Sequence, residues 1–154
     1  GRYFFNEPKG IFVNDESTAD RILAVLEEDA QASYGEIADR VGVSKPTVRK
    51  YISQLEDEGV IVGYAAEVDP KKLSSTSIAW VGLDVKSECY VDALQALKTL
   101  DPIRTLYTSS GDHMLLAEVR AADGDALARF IQESMLTVEG VEEAHPTFLQ
   151  ERIK

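Results

Sequence analysis

Cysteine is nearly missing from this chain: Cys89 is the single copy in 154 residues. One thiol excludes an intramolecular disulfide framework and a cysteine-based zinc site. Histidine is almost as scarce, and His113, His145 and Cys89 show no close ligand spacing in the sequence, so no metal centre is expected. No apolar run approaches the ~20 residues of a membrane span. Residues Gly1 to Asn14 lack the charged start, apolar centre and small-residue cleavage site of a secretory signal. A phosphate-cradling glycine loop, a nucleophile paired with a base, and a metal motif are also missing, which argues against an enzyme. These absences lead us to expect a cytoplasmic protein without cofactor or membrane attachment.

Basic residues are scarce too. Sixteen Lys and Arg face 27 Asp and Glu, for a formal charge of −11. Hydrophobic residues, at 44%, suffice for a buried core. Net charge bears on solubility and association, not on fold. Acid-rich, lysine-poor surfaces suit proteins that stay soluble in concentrated salt, so a salt-loving source cell is expected.

The sequence divides into four stretches. Residues 1–14 read as two short extended pieces around Pro8 and Gly10, or as a segment added to the protein; their role is open. Residues 15–68 carry three helical patterns. Ser17 with Asp20 and Ser33 with Glu36 are capping-box signatures, and Ser44 followed by Pro46 opens a third helix. Ala19, Ile22, Leu23 and Leu26 share one helical face, as do Val48, Tyr51, Ile52 and Leu55. Gly42 and Gly59 supply helix stops. Three helices of about 10, 8 and 14 residues, with a glycine-containing turn before the last, match a helix-turn-helix unit. Val60 to Val68 is β-prone and suggests a strand or small wing.

Residues 69–75 read as a linker. Residues 76–154 then follow the order β-α-β-β-α-β, the ferredoxin-like plan of an α+β domain. Strands are expected at 77–85, 103–108, 113–120 and 141–149, with a hairpin turn at 109–112. Pro146 suits an edge strand. Both helices of such a domain cover one sheet face. Alternation puts Ile78, Trp80 and Leu106 on the other, with either Met114 and Leu116 or His113 and Leu115, an apolar surface that calls for a partner, most simply a second copy of the same sheet.

The order of parts resembles the leucine-responsive and asparagine regulator (Lrp/AsnC) family. The residues that carry the resemblance are Leu26 to Ala30, Ser33 to Ala38, Val41 to Ser44, Val48-Arg49, Leu55 to Tyr64, Asp69 to Leu73, Gly111 and Gly140-Val141. It covers roughly Asp15 to Lys154. The resemblance implies a prokaryotic transcription regulator with a winged helix-turn-helix domain and a βαββαβ effector domain. It also implies homodimers built through that domain, higher oligomers, control of amino-acid or nitrogen metabolism, and a small effector. The family usually has an aromatic residue and then Asp after the glycine of the hairpin turn expected at 109–112. Here Met114 stands where that Asp would, so an ammonium group loses a carboxylate partner and ordinary amino acids are not expected to bind.

For contact with double-stranded DNA the candidates are Ser44, Lys45, Pro46, Thr47, Arg49, Lys50, Ser53 and Gln54. Lys45, Arg49 and Lys50 are the only three basic residues within six positions in the chain. A recognition helix needs cations for phosphates and hydrogen-bonding groups for base edges. A solvated helix face is the plain alternative. Effector candidates are Ser109, Gly111, Asp112 and Met114; dimer candidates are Ile78, Trp80, Leu106 and Leu116. The competing reading is a small-molecule-binding α+β protein or enzyme whose N-terminal helices serve assembly.

Overall fold

The computed structural model describes residues 17–154, so the leader at 1–14 lies outside the described residues. The chain forms two compact units that meet between Ala66 and Glu67.

In the first unit, α1 spans Thr18–Glu28, α2 Tyr34–Val41 and α3 Lys45–Asp57. Each begins on its serine. The Ser17 hydroxyl accepts from Asp20 N at 3.2 Å and the Asp20 carboxylate accepts from Ser17 N, closing a capping box. Ser33 and Glu36 repeat it, with both bonds at 3.1 Å. Ser44 accepts from Thr47 N at 3.3 Å, and Pro46 lies in the first turn, where no N–H is needed. α2 stops at Gly42, whose φ of 81° is left-handed and costly for any residue with a Cβ. Ile22, Val25, Ile37, Ala38, Val41, Val48 and Ile52 form the core between the helices. Burial of such side chains contributes about 1.5–3 kcal/mol each. The Arg21 guanidinium donates to the Val41 carbonyl and ties α1 to the end of α2.

Residues 60–68 form no strand. The N–H groups of Val60 and Ile61 both turn back to the Leu55 carbonyl, and Ile61 packs on the helical core. Beyond it Val62 is 94% exposed. A β-prone sequence forms a strand only where a neighbouring strand pairs with it, so propensity alone does not make one.

In the second unit β1 spans Ser77–Val85, α4 Tyr90–Lys98, β2 Ile103–Thr108, β3 Leu115–Ala121, α5 Gly124–Phe130 and β4 Val141–Phe148. The strands form one antiparallel sheet in the order β2-β3-β1-β4, with Pro146 on the outer strand as expected. Asp123 caps α5 through Ala126 N at 2.7 Å, and the chain continues from α5 as a wider π-type turn, Ile131–Met135. Ala79, Val81, Leu83 and Val85 face the helix side, where they meet Ala93, Leu97, Leu127 and Met135.

Two expectations are corrected here. β3 starts at Leu115, not at His113, because the loop is longer than a four-residue hairpin: Ser109 N bonds to the Met114 carbonyl at 2.9 Å, and the Ser109 hydroxyl bonds to the His113 carbonyl at 2.7 Å. Leu106 lies on the helix side, not on the open face, since it pairs with Ala117 and packs on the core. The cause is a bulge between Ile103 and Thr105, which shifts the alternation by one so that Ile103 and Leu106 both turn inward. Tyr107, opposite Leu116, takes the outward position.

The segment expected to link the units is ordered at its start. Asp69 accepts from Lys71 N at 3.1 Å, opening a 3-10 turn over Pro70–Lys72, and from Arg152 N at 3.0 Å. The bonds from Arg152 and Lys71 N, with the nearby lysines, hold its carboxyl below the usual range against the opposing effect of burial.

Candidate functional site

The Ser44 cap fixes where α3 begins, and therefore which residues it presents outward. Val48, Ile52 and Leu55 are buried, so Lys45, Pro46, Arg49, Lys50 and Ser53 stand together on the opposite side and line one shallow depression. All five are exposed. Thr47 is half-buried, and its hydroxyl shares a 2.8 Å bond with the Ser44 hydroxyl, so these two side chains chiefly hold the first turn. Gln54 is exposed and its amide donates to Glu58 at 3.2 Å.

Two supports for this face lie in α2. The Arg49 guanidinium sits 5.5 Å from the centre of the Tyr34 ring, an arrangement that restrains the cation while leaving it charged. The Lys45 stem lies against Gly35, where a Cβ would stand 3.0 Å from Lys45 Cε. Neither Tyr34 nor Gly35 was expected from the sequence. Both directly follow the Ser33 cap, and that position relative to the helix turn is the signal that can find them.

In the second unit the loop 109–114 carries the effector candidates. Ser109, Gly111 and Asp112 are exposed, and Gly111 adopts a φ of 116°. The Met114 side chain packs against the core, and its N–H faces the Leu83 carbonyl and the Asp84 carboxylate. Of the dimer candidates, Ile78, Trp80 and Leu116 share the open face; Leu106 does not. Ile78 is buried within the chain itself, whereas Leu116 is 36% and Tyr107 55% exposed, and the Trp80 and Tyr107 rings lie 6.4 Å apart. An ion pair between Arg120 and Glu118 at 3.0 Å occupies the same face.

Strand pairing also joins residues that the sequence keeps apart. His113 Nδ1 lies 3.0 Å from Asp84 Oδ2, and the His113 and His145 rings stack with centroids 4.6 Å apart. The bond from His113, that from Met114 N and the charges of both histidines lower the Asp84 pKa, against desolvation. The histidines are thus neighbours despite their separation in sequence.

A three-helix unit with a capped, cation-bearing third helix, joined to a separate βαββαβ domain, defines a helix-turn-helix DNA-binding transcription regulator with a ligand-binding module. Residues 18–62 match the profile of winged helix-turn-helix DNA-binding domains, and residues 76–154 match that of the Lrp/AsnC ligand-binding domain. The chain belongs to the Lrp/AsnC family of transcription regulators. It is 66% identical over 142 residues to the HTH-type transcriptional regulator LrpA1 of Halobacterium salinarum, covering 92% of this chain and all of that one. Identity to LrpA of Pyrococcus horikoshii is 37% over 133 residues, or 86% of this chain and 94% of the relative. The fold superposes on the leucine response regulatory protein LrpA of Mycobacterium tuberculosis with a TM-score of 0.72 at 23% identity, covering 90% and 94% of the two chains. The Halobacterium relative fits the salt-loving source expected from the acid-rich composition.

Proposed function

We propose that this regulator reads DNA through the outward face of α3 and acts as a cytoplasmic homodimer or higher oligomer that controls amino-acid or nitrogen metabolism. The observation that carries the proposal is the exposed row of Lys45, Arg49 and Lys50 beside Pro46 and Ser53, rooted in a capped helix. Lys45 and Lys50 neutralise phosphates, Arg49 and Ser53 reach base edges, and Gln54 borders them; Ser44 and Thr47 set the angle of the first turn. Dimerisation uses the open sheet face through Trp80 and Leu116, with Tyr107 in place of Leu106 and with Ile78, buried within the chain, two residues before Trp80 on β1. Among the described residues no helix is long and apolar enough to cross a membrane.

Effector binding is proposed at the loop of Ser109, Gly111 and Asp112. Met114 turns to the core and offers no carboxylate, so ordinary free amino acids bind weakly or not at all. Calorimetry against the twenty amino acids checks this, and low-micromolar binding abolished by Asp112→Ala contradicts it.

A symmetric dimer requires a pseudo-palindromic operator with half-sites about one helical turn, roughly 34–36 Å, or a multiple of it apart. Footprinting on DNA upstream of the protein's own gene tests the reading. Protection of two related half-sites at that spacing is expected, and uniform non-specific protection overturns it. In light scattering, Trp80→Asp is expected to weaken the dimer by placing an unpaired charge in the interface; a monodisperse monomer of the unaltered chain overturns the dimer.

A further inference from the structure

We propose that Asp84, His113 and His145 form a binding site for a divalent transition metal of the zinc class. One ligand atom from each of the three residues can be chosen so that all lie within 4.8 Å of one another. The donors are two imidazole nitrogens and a carboxylate oxygen, a set that suits zinc and its neighbours and not hard cations such as magnesium. The Asp84 Oδ2 to His113 Nδ1 distance is 3.0 Å. Ligands about 2.0–2.1 Å from a tetrahedral zinc lie roughly 3.3 Å from each other, so the metal takes the place of the proton now shared by these two atoms with little movement.

Three features mark the cluster as built. First, Gly82 sits in the middle of β1, where glycine weakens a strand, and a Cβ there would overlap the His113 ring. The glycine lets the imidazole lie on the backbone beside His145, which is opposite Gly82 across the β1–β4 pair. Second, the donors are oriented from behind. Glu143 Oε2 lies 2.8 Å from His145 Nε2, which leaves Nδ1 for the metal, and Asp84 Oδ1 is held by Met114 N. Such outer contacts fix the tautomer and direction of a ligating imidazole. Third, the site remains reachable: the side chains of His113 and Asp84 are 27% and 30% exposed, and that of His145 is 51% exposed. Gly82, which His113 covers and His145 faces, pairs with Leu116 and lies two residues from Trp80, so the cluster borders the proposed dimer patch. Three protein donors leave a fourth tetrahedral position for water or an anionic ligand.

Binding joins the loop after β2 to the edge strand β4, which the stacked histidine rings already bring together.

The test is calorimetric titration of the tag-free, chelator-stripped full chain with zinc chloride near neutral pH, beside His145→Ala, Asp84→Asn, Glu143→Gln and Cys89→Ser. His145 and Glu143 are exposed on an edge strand, so their variants keep the fold, which circular dichroism verifies. One zinc per chain is expected. Glu143→Gln should weaken binding about 10–100-fold, as for an outer-shell partner, and His145→Ala and Asp84→Asn by more. Cys89→Ser should leave it unchanged, and excess magnesium should not compete. In nitrogen-detected spectra zinc should shift the ring signals of both histidines. No zinc binding, one ion per two chains, or unchanged affinity in His145→Ala overturns the site.

Discussion

The two halves of this molecule are held in place by different kinds of information. In the helical unit the signals are local: a serine three residues ahead of an acid or a threonine starts α1, α2 and α3, and Gly42 and Gly59 follow the ends of α2 and α3. In the sheet unit the outcome depends on pairing between strands far apart in sequence, and one bulge at the start of β2 exchanges the faces of Leu106 and Tyr107. Caps tell where a helix begins, and so which side of α3 faces outward. Only register tells which side of a strand does so.

The sharpest way to break this comparison is to damage one core and watch the other. Ile22→Ala and Leu97→Ala each remove a fully buried side chain, one per unit. Each should cost about 2–5 kcal/mol. Hydrogen exchange should show the loss confined to the unit carrying the substitution; equal loss of protection in both units would mean that they fold as one.

Register is tested next by the pair Leu106→Asp and Tyr107→Asp. The first places a charge against the core and should lower the thermal midpoint of the sheet unit markedly. The second leaves that midpoint nearly unchanged and weakens self-association. The reverse pattern in calorimetric scans would restore the simple alternation.

A smaller effect probes the local signals. Ser33→Ala removes a cap bond and should cost about 0.5–2 kcal/mol, read from denaturant midpoints of the helical unit. No change would mean that tertiary packing alone positions α2.

Salt gives the mildest contrast. Residues 15–68 hold twelve acidic and five basic side chains, a net of −7, and three of those five cations lie in Lys45 to Lys50. At ~0.15 M salt the screening length is about 8 Å, so acids a helix away still oppose DNA; at ~1 M it is about 3 Å and they are largely hidden. Affinity for operator DNA should therefore fall less with salt than for an ordinary binder making several phosphate contacts, because screening of the protein's own acids offsets counterion release. A steep linear decline of log affinity with log salt, in folded protein, contradicts this.

What was legible in the sequence follows the same division. The three serine caps, the Gly42 stop and the outward row on α3 were read directly, because each is written within a few residues. β1 was also read to its ends, its apolar alternation being unbroken from Ala79 to Val85. The length of the 109–114 loop was not legible, since Ser109 closes it through backbone and hydroxyl bonds that leave no pattern. Residues 60–68 were β-prone yet form no strand, because propensity alone does not make one. His113 and His145 carried no spacing signal; strand pairing and Gly82 bring them together, and a glycine inside a strand was the one hint of a close approach.

The central claim is that α3 is the surface that meets DNA. Fluorescence-anisotropy titration of the footprinted operator with the unaltered protein, Arg49→Ala and Lys50→Ala tests it most directly. Circular dichroism should show all three equally folded, since both side chains are exposed. Arg49→Ala should cost about 1–3 kcal/mol and relax preference at one base position, whereas Lys50→Ala should weaken binding to all sequences and reduce the salt slope by about one. Unchanged affinity in both variants would contradict the account and move the DNA-binding surface to another helix.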